Sequence, residues 1–349
     1  MPKQSSFSTG LRFLIGFAAF GITMGILNEY AAFINKIVIS MIMAIVFTPL
    51  MHWLRKKGAP VWLSLVVTIT AVVIIISSLV LFLIASAAQL VVTIPEYTAE
   101  LQGITGSITE LLVSFGLDAA AIGNLLDLID LSQISGYIMT FLSNLVTILS
   151  DTIMVIIVLA FLLVGATDYD ERVRSLINTG HNGLDRLYSF SKDIWRYVII
   201  TNNLGMMVAA INTIALLLLG VDFALLWGVL SWLFSFIPVV GFVIALIPPT
   251  LMALLQYGWL KAALVVGVYF IINFSIDNIL KPKIIGDDLD IAPVLVFVSV
   301  AFWSMVLGPL GGILSIPATL AVKELVLEAD PASQWIAQLM GGESDSTEE

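Results

Sequence analysis

The chain has 349 residues, 59% of them hydrophobic and only 11% charged, and its 15 Lys and Arg against 25 Asp and Glu give a net charge of −10. Soluble domains carry about 25% charged residues, so a mean hydropathy of +1.05 excludes a soluble fold, which would leave far too much apolar surface in water. No basic stripe accompanies the acidic balance, which argues against nucleic acid as a partner, and the lack of cysteine removes disulfides and thiolate metal sites.

The apolar runs are continuous, whereas barrel strands would alternate over about ten residues. Backbone groups at bilayer depth must therefore bond within helices. The expected fold is all-α and polytopic, with about eight transmembrane helices at the length a bilayer requires. Met1 to Gly10 is short and polar, and the run opening at Leu11 lacks a small-residue cleavage site, so it reads as a retained span. The runs cover 11–27, 31–51, 61–90, 144–165, 198–219, 223–256, 262–280 and 291–325. The sixth and last exceed one crossing and carry internal Pro and Gly, so each reads as a hairpin. This gives N-terminal spans over 1–90, an external helical insert over 91–143, a C-terminal bundle over 144–326 and an acidic tail over 327–349.

In the insert, Ile94, Tyr97, Leu101, Ile104, Ile108, Leu111 and Phe115 step by three and four, as on an amphipathic helix. Its carboxylates, among them Glu96, Glu100 and Glu110, have no basic partner nearby. They suit either a solvated hairpin or a vestibule that concentrates cations. Basic residues cluster at Arg55–Lys57, at Arg172, Arg174, Arg186, Lys192 and Arg196, and at Lys281 and Lys283, while none occurs from Gly58 through Glu171. By the excess of Lys and Arg in cytoplasmic loops, both termini are cytoplasmic and 91–143 lies outside a bacterial inner membrane. Leu184, Leu187, Trp195 and Tyr197 suggest a helix lying at the interface.

Three features could carry function. The first is SFIPVVGFVIALIPP, Ser235 to Pro249. A helix over Phe223–Phe236 would span roughly 21 Å, short of a hydrocarbon core of about 30 Å. Pro238 removes a donor and Gly241 permits a bend, while Pro248 and Pro249 interrupt the return arm. The second is Asp290 to Lys323, with GPLGG at Gly308–Gly312, including Gly311, and then Pro317. Paired Gly/Pro-broken segments point to a transporter's binding region; the plainer reading is kinked full-length helices.

The third is Asn273, Ser275, Asp277 and Asn278, ahead of Lys281. An ionisable group in a span is costly and commonly lines a polar path, so Asp277 could bind a cation or shuttle a proton; equally, it could pair with Lys281 four residues on. Lys36 and Asp151, each a few residues inside a span, could couple to an ion or pair with each other, or Lys36 could simply reach the headgroups. Asn202, Asn203 and Asn212 read as bridges between helices. No phosphate-binding G-x-x-x-x-G-K-[ST] loop occurs, and nothing calls for a cofactor, a metal or a catalytic residue.

The ordered strings IPVVGFVIALIPP, NFSIDNILKPKIIGDDLDIAPVLVFVSV and GPLGGILSIPATLAVKEL resemble the AI-2E family of transporters, a likeness covering residues 11–326. Matching positions are Pro238, Gly241, Pro248, Asn278, Pro282, Gly286, Pro293, Gly308, Gly311 and Pro317; Phe242 departs, since the family often places proline there. The resemblance implies a membrane transporter that is not an enzyme, works as a homo-oligomer and carries a small molecule or a cation. Described members include exporters of autoinducer-2, sodium or lithium/proton antiporters and general permeases. Three functions follow: export of a small hydroxyl-rich signal, cation/proton antiport through Asp277, or a scaffold that transports nothing.

Overall fold

The computed structural model describes residues 9–97, scattered positions between 100 and 115, then 131–166, 184–281, 292–328 and 333–340. Most of the expected external hairpin, Arg172, Arg174, Pro282, Gly286 and the tail beyond Met340 lie outside the described residues. Every regular element among those described is helical: α1 Thr9–Glu29, α2 Ala31–Lys56, α3 Val61–Thr93, α4 Leu131–Ala166, α5 Leu184–Leu219, α6 Ala224–Phe234, α7 Val240–Tyr257, α8 Trp259–Ser275, α9 Pro293–Leu307, α10 Pro309–Val322 and α11 Gln334–Met340. By length and composition, Ala31–Lys56, Val61–Tyr97, Tyr188–Leu219, Val240–Tyr257 and Pro309–Leu327 can each cross a bilayer, and shorter apolar helices accompany them. Leu218 is 84% exposed, Met305 82% and Phe161 77%, the surface a helix presents to lipid. The chain is an all-α, polytopic membrane protein.

Two local expectations are corrected. Pro248 and Pro249 sit inside α7 without ending it, because the helix-disrupting cost of proline is offset where neighbouring helices pack against the segment. Leu184–Tyr197 forms no separate interfacial helix; it is the opening of α5, since no Gly or Pro occurs between Leu184 and Leu204 to stop the helix.

The fold divides into two compact units, with two of the boundaries falling inside α2 and α5. The first comprises residues 1–43, 170–194 and 290–349. Its core is Val306, Leu307 and Leu314 packed with Met24, Leu27, Ile34, Val38 and Ile42. α9 and α10 join through Gly308 alone, at φ 74 and ψ −161, a region open essentially only to glycine. Pro309 follows and has no N–H to return, so the last carbonyls of α9 need outside donors. Asn28 Nδ2 donates to the Val306 carbonyl at 3.0 Å and Asn35 Nδ2 to the Leu307 carbonyl at 2.9 Å. α11 returns to this unit, with Ala292 N–H donating to the Met340 carbonyl at 3.1 Å.

The second unit comprises residues 44–169 and 195–289. α3, α5, α6, α7 and α8 share one core that includes Leu83, Leu216, Trp227, Met252, Val265 and Tyr269. α7 and α8 also meet at a single glycine, Gly258, with φ 78 and ψ −175. α8 ends in a π-helical turn over Ile276–Leu280, a wider winding frequent at functional sites.

Candidate functional site: a cavity beside the first broken hairpin

Between α6 and α7 the helix is interrupted over 235–239, as the Pro238 string leads one to expect. Ile237 N–H reaches back to the Phe234 carbonyl at 2.9 Å, and Val240 N–H donates to the Pro238 carbonyl at 2.6 Å. The latter bond closes a three-residue γ-turn on Val239, at φ 61 and ψ −58. The positive-φ γ-turn is rare and strained, the more so for a β-branched residue, and strain of this kind clusters at ligand clamps and switch regions. Gly241 is not itself the bend: it lies in the first turn of α7, where a Cβ would run into the Phe234 carbonyl oxygen. Its role is close approach of two backbones.

This turn forms one wall of a cavity of about 310 Å³ within the second unit. α5 supplies Thr201, Leu204, Gly205, Val208 and Asn212. These follow the i, i+3, i+4, i+7, i+11 pattern of one helix face over about 16 Å of axis at 1.5 Å per residue. α6 and the interruption add Ser231, Ser235, Pro238 and Val239, and the end of α8 adds Asn273, Ile276 and Lys281. Small residues let these helices approach: a Cβ at Gly205 would strike the Ser235 hydroxyl, and one at Gly228 the Thr213 hydroxyl.

The cavity stops at a definite level. Asn212, Ser231 and Asn273 line it, and each lies four residues from Leu216, Trp227 and Tyr269 respectively, all buried in the apolar core. On α6 and α8 the turn between polar and apolar layers is closed by Ser231 Oγ donating to the Trp227 carbonyl at 2.9 Å and Asn273 Nδ2 to the Tyr269 carbonyl at 2.8 Å. Beyond that core, at the α5–α6 connection, lies a second polar group. Tyr97 Oη donates to Asp222 Oδ2 at 3.1 Å, Gln256 Nε2 to Tyr97 Oη at 3.0 Å, and Lys261 Nζ to the Leu219 carbonyl at 3.0 Å.

The sequence-derived candidates distribute unevenly. Pro238 and Asn273 line the cavity, Gly241 and Pro248 lie on the adjoining α7, and Ser275 is half-buried outside the lining. Asp277 and Asn278 are on the π-helical turn, their side chains outside the described atoms, as is that of Asp151 on α4. Lys36 sits on α2, its carbonyl accepting from Ser40 Oγ at 2.7 Å. Gly308, Gly311, Gly312 and Pro317 belong to the first unit. Only Gly308 there is outside a helix; Gly311 is in α10, where a Cβ would meet the Trp303 carbonyl, and Trp303 Nε1 donates to Thr319 Oγ1 at 3.0 Å. Sequence reasoning passed over Thr201, Ser231 and Ser235, and over Asn28 and Asn35. A usable signal was the face of α5 itself, where Thr201, Gly205 and Asn212 interrupt an apolar helix at helical spacing.

A multi-pass helical protein with interrupted helices beside a partly polar cavity falls in the class of membrane transporters. Comparison makes the class specific: the model of the "AI-2E family transporter" family matches residues 11–329, and the chain belongs to that family. It is 26% identical to the AI-2 transport protein TqsA of Escherichia coli K12 over 349 residues, 97% of this chain and 98% of that one. It is 25% identical to YhhT of the same organism over 333 residues, 95% of each chain. A Borreliella burgdorferi protein is 31% identical over 251 residues, 69% of this chain and 66% of that one.

Proposed function

We propose that the protein is a permease exporting a small, uncharged, hydroxyl-rich solute of the autoinducer-2 kind across the inner membrane. Both termini are cytoplasmic in this reading and 91–143 is external. The observation that carries it is the cavity lining: Thr201, Asn212, Ser231, Ser235 and Asn273 bring hydroxyls and carboxamides to it, and Lys281 is the one ionisable side chain among the described lining residues. Such walls exchange hydrogen bonds with a polyol, whereas a bare cation would lose its hydration without gaining a countercharge from the described lining residues. A volume of 310 Å³ lies at the small end of the range for ligand sites, about 300–1,000 Å³. AI-2 transport by TqsA supports the same substrate class. In this orientation Lys281, just past the π-helical turn that follows α8, lies toward the cytoplasm, and the cavity would load from that side, as export requires.

The test is retention of the signal. Cells lacking the protein should hold more autoinducer-2 inside, and re-expression should restore the lower level; unchanged retention would overturn the reading. Antiport remains the second reading, because Asp277 lies between two lining residues, Ile276 and Lys281. Vesicles holding a pH dye separate the two: a proton flux on a sodium pulse, lost in Asp277→Asn, would favour antiport.

A further inference from the structure

We infer that Asn212, held by Ser231, is a recognition contact that reads hydroxyl groups on the transported solute. The inference rests on the permease reading and adds a residue and an atom to it. Asn212 is 0% exposed and Ser231 4%, yet both line the cavity at the level where the apolar core begins. The Ser231 hydroxyl gives its proton to the Trp227 carbonyl at 2.9 Å, leaving its oxygen only as an acceptor. Asn212 Nδ2 faces that oxygen at 3.4 Å. This contact turns the amide nitrogen toward Ser231, which the Tyr269 hydroxyl also approaches, and its oxygen away from it. The oxygen then has no donor among the described residues and is itself fully buried, so a solute hydroxyl reaches it once the cavity wall opens at that level.

Buried carboxamide oxygens are rarely left so, because an unpaired acceptor costs desolvation with no return. Bridging of helices uses only one side of this amide. The other side suits an incoming O–H, and a hydrophobic isostere of the solute would leave it unpaired, which is how a buried polar group produces selectivity. A second vacant group lies about 16 Å back along α5: Thr201, 2% exposed, whose hydroxyl also has no partner among the described residues. One small solute cannot reach both, so Thr201 and Asn212 mark two successive stations on one helix face.

The test uses the full-length protein in liposomes and follows osmotic swelling on gradients of erythritol and of 1,2-propanediol, with the flux of empty vesicles subtracted. Loss of one good hydrogen bond is worth about fivefold. Asn212→Leu should therefore lower the erythritol-to-propanediol flux ratio about fivefold, since erythritol has more hydroxyls to satisfy. Ser231→Ala releases the amide's orientation and should lower the ratio at least twofold; it carries the test should Asn212→Leu not fold. Variants that lose both fluxes in equal proportion, with the ratio unchanged, would overturn the assignment and leave the permease reading standing. Wild-type vesicles no faster than empty ones for either probe would overturn the permease reading and this assignment together.

Discussion

Replacing Gly241 by alanine tests the claim that its value is space and not backbone freedom. A Cβ there points at the Phe234 carbonyl group, its carbonyl carbon 2.9 Å away, with the Ile237 Cβ at 3.3 Å. The first obstacle is main chain, and it is held by the bond from Ile237 N–H, so it cannot turn aside as a flexible side chain would. Forced overpacking of this kind costs about 1–3 kcal/mol. Gly267, inside α8, is the matched control: nothing lies within 4 Å of its Cβ position. Alanine there should gain up to about 1 kcal/mol of helix propensity. The two variants should differ by roughly 1–4 kcal/mol, which at about 2 °C per kcal/mol for a chain of this size separates their midpoints by roughly 2–8 °C. Thermal unfolding in one detergent, followed by tryptophan fluorescence, measures the gap. Equal midpoints would refute the backbone contact and with it the tight return of the chain into α7.

Val239→Gly should raise the melting temperature in the same assay, because it relieves a β-branched residue held at φ 61, a strain of about 1–3 kcal/mol; a fall would mean the turn is relaxed. Asn35→Leu should destabilise by about 1–2 kcal/mol by stranding the Leu307 carbonyl, while Asn35→Gln should recover part of the loss, both read as shifts in unfolding midpoint. Tyr97→Phe removes a hydroxyl that bonds both Asp222 and Gln256. It should cost about 1 kcal/mol or less at this partly exposed position and should speed amide exchange at the α5–α6 connection, detectable by mass spectrometry.

Much of this was legible in the sequence for a simple reason: long apolar runs have few ways to satisfy their backbone in lipid. The interruption at Pro238 could be read because proline removes a donor where an apolar run is too long for one crossing. The roles of neighbouring residues could not. Gly241 and Gly311 look like bends in one dimension, yet both are helical and serve contact with the opposing arm. Pro248 and Pro249 look like breaks, yet α7 runs through them. The cavity wall was hidden because Thr201, Asn212 and Ser231 come together only when α5 and α6 pack, and Asn212 taken alone is equally a bridge between helices. Asn28 and Asn35 were missed because the carbonyls they serve lie more than 270 residues away.

The abrupt stop of the cavity at Leu216, Trp227 and Tyr269 has a kinetic meaning. A chamber walled off on one side takes in a passenger but releases it elsewhere only after its side chains rearrange, so turnover is bounded by that rearrangement and not by diffusion. Flux should accordingly saturate with concentration, and label loaded on one side should exchange faster when unlabelled solute waits on the other. An open pore would show neither behaviour.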